Sequence, residues 1–292
     1  MKKRQSIIVN KSQNKSKLAL FFPKSEKYKG LHTQGYFKRS KADKPLITVV
    51  TVVFEGDEFL EETIQSVVNQ TYDSIEYILI DGGSTDGTVD IIKRYENEIA
   101  YWVSEPDGGI YDAMNKGVNL SSGEWICFMN AGDVFYDNQT IKSIFSEINF
   151  ANIDLFYGNH FNFNKSLNNK KEVNNTEFSL TKSLFNGLKH SHQSTFVKSD
   201  FCKKNLFDLE FNLASDFNQF LIAYFKGKTV YIDLPISIVD INGISNNERV
   251  LVIKEYRKIL YAHNAKFYYK FISLLSIFYN QFKVSIKKTF GL

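Results

Sequence analysis

An α/β fold with a mostly parallel sheet flanked by helices is the class this sequence predicts. Three observations predict it. Apolar runs alternate with helical stripes in βαβαβαβ order through residue 148. Two of those runs end in clusters of Asp, Asn and Gly, at 77–88 (YILIDGGSTDGT) and 128–133 (FMNAGD), and open α/β sheets bind their ligands where strands end. The 292 residues, 43% apolar and 23% charged, suffice for one large domain with appendages.

The elements follow in order. Residues 46–54 (LITVVTVVF) are apolar and β-branched, the pattern of a strand buried on both faces. Residues 60–69 place Leu60, Ile64, Val67 and Val68 at helical spacing. Residues 77–80 form the next strand, and 87–95 a helix around Val89, Ile91 and Ile92. A short strand at 101–103, a helix at 112–120 closed by Gly123, a strand at 125–129 and a helix at 140–148 complete the alternation. Beyond 150 the pattern loosens. Strands are expected at 155–157, 195–197 and 229–232, a helix at 215–225, and an exposed loop or hairpin over the Asn- and Lys-rich 161–177. No internal repeat is present.

Charge divides the chain into three. Residues 1–44 hold 13 Lys and Arg against Glu26 and Asp43, a net of +11, and read as a loosely docked basic arm ending at Lys44-Pro45. Residues 250–292 hold eight against Glu255 alone, a net of +7, in an aromatic helical tail. The central domain, 45–249, therefore carries −14. A nucleic-acid binder lines its working face with basic residues, so an acidic body with basic ends does not look like that class. It fits a body drawn by its ends to an anionic surface. The longest uncharged run of the tail, 271–282, has 12 residues, where a bilayer span needs about 20. Two readings of the tail stay open: an amphipathic helix in a membrane interface, or a helix packed on its own domain or on a second subunit in a homodimer. Cys127 and Cys202 sit on separate apolar segments and read as reduced core residues of a cytoplasmic protein. No signal peptide is recognisable.

The acidic strand ends carry the chemistry. Asp81 closes a strand and is followed by Gly82-Gly83, which permit close backbone approach to a ligand. Its bland reading is a turn cap, with Ser84 capping the next helix. Asp107-Gly-Gly-Ile-Tyr-Asp112 opens a helix whose free N–H groups suit an anion or a sugar hydroxyl. Asp112 itself reads as a cap. Two acidic strand ends together suit a nucleotide with a divalent metal, because hard cations take oxygen ligands.

These segments resemble a known family. ITVVTVVFEGDEFLEETIQSVVNQTY, EYILIDGGSTDGTVDIIKRY and VSEPDGGIYDAMNKGVNLSSGEWICFMNAGD resemble the inverting family 2 glycosyltransferases of the GT-A fold. Within that family they are similar to bacterial enzymes that build surface polysaccharides such as colanic acid, O-antigen and capsule. His192-Gln193-Ser194, Ala214-Ser215-Asp216 and Asn242-Gly243-Ile244-Ser245 extend the likeness to residue 245. The resemblance implies a nucleotide-sugar donor, a UDP-sugar by default, and a glycan or lipid-linked glycan acceptor at the inner face of the membrane. It places Val52, Phe54, Glu55, Asp81, Asp107, Asn130 and Asp133 at the donor. It makes Asp133 the ligand of a Mg²⁺ or Mn²⁺ ion, Asp216 the general base, and His192 and Gln193 acceptor or diphosphate contacts. It makes 242–245 a closing loop. His190 and His192 alternate as a metal pair would, but the family reading sets that aside.

The sequence departs from the family at five positions. Val52 and Phe54 stand where many relatives carry more polar or Tyr residues at the base pocket. Gly82, Asn130 and Gly132 stand where many relatives carry acids, which weakens the metal site and leaves a second reading, a catalytically silent binding or scaffold subunit of a polysaccharide assembly complex. A sugar-nucleotide pyrophosphorylase is a further enzyme reading; the acidic, single-glycine Phe54-Glu-Gly-Asp57 argues against it, since that class needs a basic, Gly-rich loop after the first strand.

Overall fold

The computed structural model of the protein describes residues 28–290, apart from 42, 148–149, 165–168, 187, 189 and 241–247. Residues 1–27 of the basic arm and the 242–245 loop thus lie outside the described residues. Ten strands form one mixed sheet. In chain order they are β1 (Tyr28–Lys29), β2 (Ile47–Val53), β3 (Ile75–Asp81), β4 (Tyr101–Ser104), β5 (Trp125–Phe128), β6 (Val134–Phe135), β7 (Leu155–Asn164), β8 (Asn169–Val173), β9 (Thr195–Lys198) and β10 (Thr229–Asp240). Their spatial order is β1-β4-β3-β2-β5-β9-β7-β10-β6, with β8 paired to β7. Strands β4, β3, β2 and β5 run parallel, as the βα alternation predicts. Antiparallel β9 joins β5 to β7, and β7 pairs parallel with β10.

Strand β2 is buried at all seven positions. Its alternate side chains feed two cores, as the two-residue period of a strand requires. Ile47, Val49 and Val53 join α1 (Leu60–Val68) and α4 (Thr140–Glu147) on one face. Val50 and Val52 join α3 (Ile110–Leu120) on the other. Helix α2 (Thr88–Arg94) completes the first face. A third core gathers α5 (Leu180–Asn186), α7 (Ser215–Lys226), α8 (Arg249–Ala262) and α9 (Phe267–Phe290). Short α6 (Ser199–Lys204) follows β9 directly. Among the described residues no helix is long and apolar enough to cross a membrane.

Three of the differences from the sequence expectation lie at the edges and tail of the fold. Residues 28–34 belong to the sheet edge: β1 pairs with β4, and Leu31 and His32 donate backbone bonds to Ile99 and Ala100. His32 also approaches Glu76 at 3.5 Å, where Glu76 accepts from Thr48 and Ser122 in the sheet interior. Strand β10 runs to Asp240, because Pro235 sits at a register shift against β7, where a missing N–H is tolerated. The tail is two helices, broken around Asn264, whose φ is +49°.

Gly117 on α3 faces β2. A Cβ there would lie 2.4 Å from Val50 Cγ1, so α3 rests against the strand only because this position has no side chain. Gly117→Ala gains up to about 1 kcal/mol in helix propensity but incurs overpacking of roughly 1–3 kcal/mol. Net destabilisation of about 1–2 kcal/mol is expected, read as a lower denaturant midpoint at unchanged m-value.

Candidate active site

The C-terminal ends of β2, β3, β4 and β5 open on one edge, and the acidic residues collect there. Asp81 ends β3 fully buried. Its carboxylate accepts bonds from Ser84 Oγ at 2.5 Å, Ser84 N at 3.1 Å and Ser104 Oγ at 2.6 Å. It therefore fixes the loop that follows β3. Gly82 lets Asp107 approach: a Cβ there would stand 2.9 Å from Asp107 Oδ2. Asp107 accepts from Gly109 N at 2.8 Å, which shapes the turn into α3. Phe54, 66% exposed, is also a neighbour of Gly82. Glu55 ties its loop to the next, accepting from Thr85 N at 3.0 Å and Thr85 Oγ1 at 3.1 Å. The structure thus brings Phe54, Glu55, Asp81 and Asp107 to one rim. Val52 does not join them through its side chain, which packs in the core beneath. Its carbonyl accepts from Ala131 N at 3.2 Å.

The second half of the site is organised by the 3₁₀ turn His192–Ser194. Adjacent side chains on this turn reach in two directions. His192 Nε2 lies 2.9 Å from Asn130 Nδ2, and Nδ1 lies 3.5 Å from Asp216 Oδ2. With the amide donating to Nε2, the ring proton falls on Nδ1, facing the carboxylate; this tautomer is assigned from the network. Gln193 Nε2 donates a short bond to Asp133 Oδ2, and Asp240 N donates to Asp133 Oδ1 at 3.0 Å. The predicted acceptor or diphosphate contacts are thus bonded to the two carboxylates themselves.

Those carboxylates differ in electrostatic state. Asp133 is 6% exposed, and burial pushes its pKa up to about 6. Asp216 stands in the first turn of α7 with its side chain 23% exposed. Burial alone would raise it, yet His192, Phe217 N (2.8 Å) and the Tyr111 hydroxyl (3.2 Å) hold it below the usual range. The helix N-terminus adds to this. A small cavity lined by Phe128, Leu155, Phe207 and Phe220 also has His192 and Asp216 in its wall, so their interaction acts beside apolar side chains. An ionised carboxylate held by three donors, with part of its surface open, is equipped to take a proton from a hydroxyl.

The oxygen ligands at Asp133 are of the kind Mg²⁺ and Mn²⁺ take. Among the described residues, no group of three His, Cys, Asp or Glu is placed to hold a metal. Asp133 offers one carboxylate, already engaged by Gln193 and Asp240. These residues fit a cation only as a single protein ligand, with the remaining oxygens supplied by a bound diphosphate.

Known proteins resemble this chain in sequence and in fold. The sequence profile of Glycosyl transferase family 2 matches residues 48–209, which spans β2 to the segment after α6. The chain belongs to glycosyl transferase family 2. It is a nucleotide-sugar-dependent glycosyltransferase. A relative from Mycobacterium tuberculosis, named only as an uncharacterized glycosyltransferase, is 31% identical over 219 residues, 74% of this chain and 83% of the relative. Two solved structures share the fold. Staphylococcus aureus TarS 1–349 in complex with UDP-GlcNAc superposes with a TM-score of 0.59 at 16% identity, over 73% of this chain and 65% of that one. The mannosyltransferase PcManGT from Pyrobaculum calidifontis, in complex with GDP-Man and Mn²⁺, gives 0.58 at 14% identity, over 80% and 70%. The α/β architecture of this family 2 enzyme is thus GT-A-like.

Two contributors in this family 2 enzyme had no sequence signal of their own. Tyr111, inside the Gly-Gly-Ile-Tyr-Asp run, donates its hydroxyl to Asp216 from 105 residues away. The Asp240 contact is a backbone N–H, invisible to any side-chain pattern. His190 separates from His192: it is buried, with ring centroids 4.0 Å from Phe220 and 4.5 Å from Tyr157, and burial lowers its pKa to about 3. The unfolded chain takes up this proton near pH 6.5, the native one only near pH 3. His190 therefore supports stability above pH 6.5 and loses that support as pH falls toward 3. His190→Phe is expected to flatten the acid limb of unfolding free energy, by up to about 4–5 kcal/mol at pH 3, measured by denaturant titration across pH 3–7.

Proposed function

We propose that this enzyme transfers one sugar, with inversion, from a UDP-sugar to a hydroxyl of a lipid-linked glycan, at the cytoplasmic face of the membrane in bacterial surface-polysaccharide assembly. The observation that carries the chemistry is Asp216, ionised, partly open and held by His192, Tyr111 and its own helix terminus. In the proposed step Asp216 takes the proton of the acceptor hydroxyl as that oxygen attacks the anomeric carbon. The bond from that carbon to the diphosphate breaks on the opposite face, and the nucleotide diphosphate leaves. His192 is a positioning residue: its Nδ1–H orients the carboxylate, and Asn130 orients the ring.

Asp81, Gly82 and Asp107, with the exposed ring of Phe54, form the proposed nucleotide rim. Asn130 Oδ1 is buried without a partner and is available to a donor hydroxyl. A Mg²⁺ or Mn²⁺ ion at Asp133, when bound, neutralises charge on the leaving diphosphate. UDP is chosen as the nucleotide because TarS is described with UDP-GlcNAc, and the metal is supported by the Mn²⁺ of PcManGT. The proposed boundaries are a basic N-terminal arm at 1–44, a transferase domain at 45–249 and a helical tail at 250–292.

Asp216→Asn should lower kcat by roughly 10²–10⁴-fold with little change in donor KM, and NMR of the wild-type product should show the anomer opposite to the donor's. A retained anomer would sink the single-base mechanism. In a thermal-shift panel of UDP, GDP, dTDP and ADP with and without Mn²⁺, UDP alone should stabilise the protein, by more with metal. Asp133→Ala should remove the metal increment. Stabilisation by UDP that is indifferent to Mn²⁺ would remove the cation from the site.

A further inference from the structure

Helix α9 turns one face into its own domain and, over residues 267–282, leaves a second, apolar face exposed. Ile272, Ser273, Ser276 and Asn280 are buried, and Ser276 Oγ donates to the Leu184 carbonyl of α5. About half a turn away stand Phe267, Phe271, Leu275, Phe278 and Phe282, all exposed; Phe267 is 82% and Phe282 65% accessible. Their spacing of four, four, three and four residues makes one continuous stripe. Tyr268 and Tyr279, also exposed, flank it. Isolated exposed hydrophobics are ordinary, but a row of this kind marks a docking surface.

Charge selects the occupant. Residues 250–292 carry eight Lys and Arg against Glu255 alone. Two copies of the tail would therefore set +7 against +7, and like charges across an interface oppose association. An anionic bilayer attracts the tail and repels the body of 45–249, which carries −14, so it orients the molecule as well as holding it. Phe and Tyr are suited to the boundary of headgroups and acyl chains. Lys266 and Lys270, at the start of the stripe, have stems long enough to keep their charge at headgroup level.

We propose that the Phe267–Phe282 face of α9 docks this enzyme on an anionic lipid bilayer, lying in the interface without crossing it. The stripe from Phe267 to Phe282 gives about 24 Å of contact length along the helix. It shares its inner core with α7, the helix that carries Asp216. A lipid-linked acceptor would then present its hydroxyl close to the surface on which the enzyme rests; this biological sense depends on the acceptor reading above, while the docking itself does not.

Flotation of the full chain with vesicles tests the proposal. Wild type should float with phosphatidylcholine–phosphatidylglycerol vesicles at about 7:3 and not with phosphatidylcholine alone. Phe267→Ser/Phe271→Ser/Phe278→Ser should weaken partitioning by ~10-fold or more while leaving the melting temperature and donor hydrolysis in solution unchanged. Lys266→Glu/Lys270→Glu, which removes no apolar surface, should weaken it in a salt-sensitive way. Wild type that stays unbound to anionic vesicles, or a triple variant that floats as well as wild type, overturns the proposal. So does a wild-type dimer in sedimentation that the triple variant abolishes without any vesicle binding, which assigns the face to a second copy. Loss of donor turnover in an enzyme that still floats counts against the transferase mechanism alone.

Discussion

Burial of β2 on both faces is the constraint on which the rest depends. Its seven residues are covered by α1 and α4 on one side and α3 on the other. A strand so enclosed must take its partners in parallel, through crossovers that carry those helices. Parallel neighbours end at the same edge, and that fixes where Asp81, Asn130 and Asp133 can be. The polar residues are thus gathered by the apolar ones: Gly117 lets α3 close on Val50, and the loops after β2 and β3 are left side by side to be stitched by Glu55, Ser84 and Thr85.

The opposite half of the site has a different logic. Here β9 enters antiparallel and delivers the His192–Ser194 turn to the end of β5. Because His192 and Gln193 are sequence neighbours, Asp216 and Asp133 are held through one short piece of backbone. The two carboxylates are pushed in opposite directions, Asp133 up by enclosure and Asp216 down by its donors. Environments that separate two carboxyl groups in this way are how a site assigns them different tasks.

The parallel half of the fold was legible because its strands are mostly apolar runs set between helical stripes: the expected 46–54 and 125–129 correspond to Ile47–Val53 and Trp125–Phe128. Beyond residue 150 the signals were weaker for physical reasons. Strand β6 has two residues and no periodicity to read. Helices α5 and α6 have seven and six residues, fewer than two turns. The expected strand at 229–232 continues to Asp240 in β10, with Pro235 accommodated at a register shift against β7. In the site, Asp81 and Asp133 stood out as acids at strand ends, while Asp216 was marked only by the family resemblance. Tyr111 did not, since its partner lies in a distant helix, and Val52 was placed at the rim although strand alternation turns it inward.

The sheet also shows how it avoids its own kind. A strand edge is a row of open donors and acceptors, ready to template a further strand. Here the two ends of the sheet path are β1 and β6, each only two residues long. The side branch, β8, bears Lys170 and Lys171, charges that discourage a neighbour from annealing there. Ladder growth between molecules therefore has little to hold at these terminal strands and at the charged side branch.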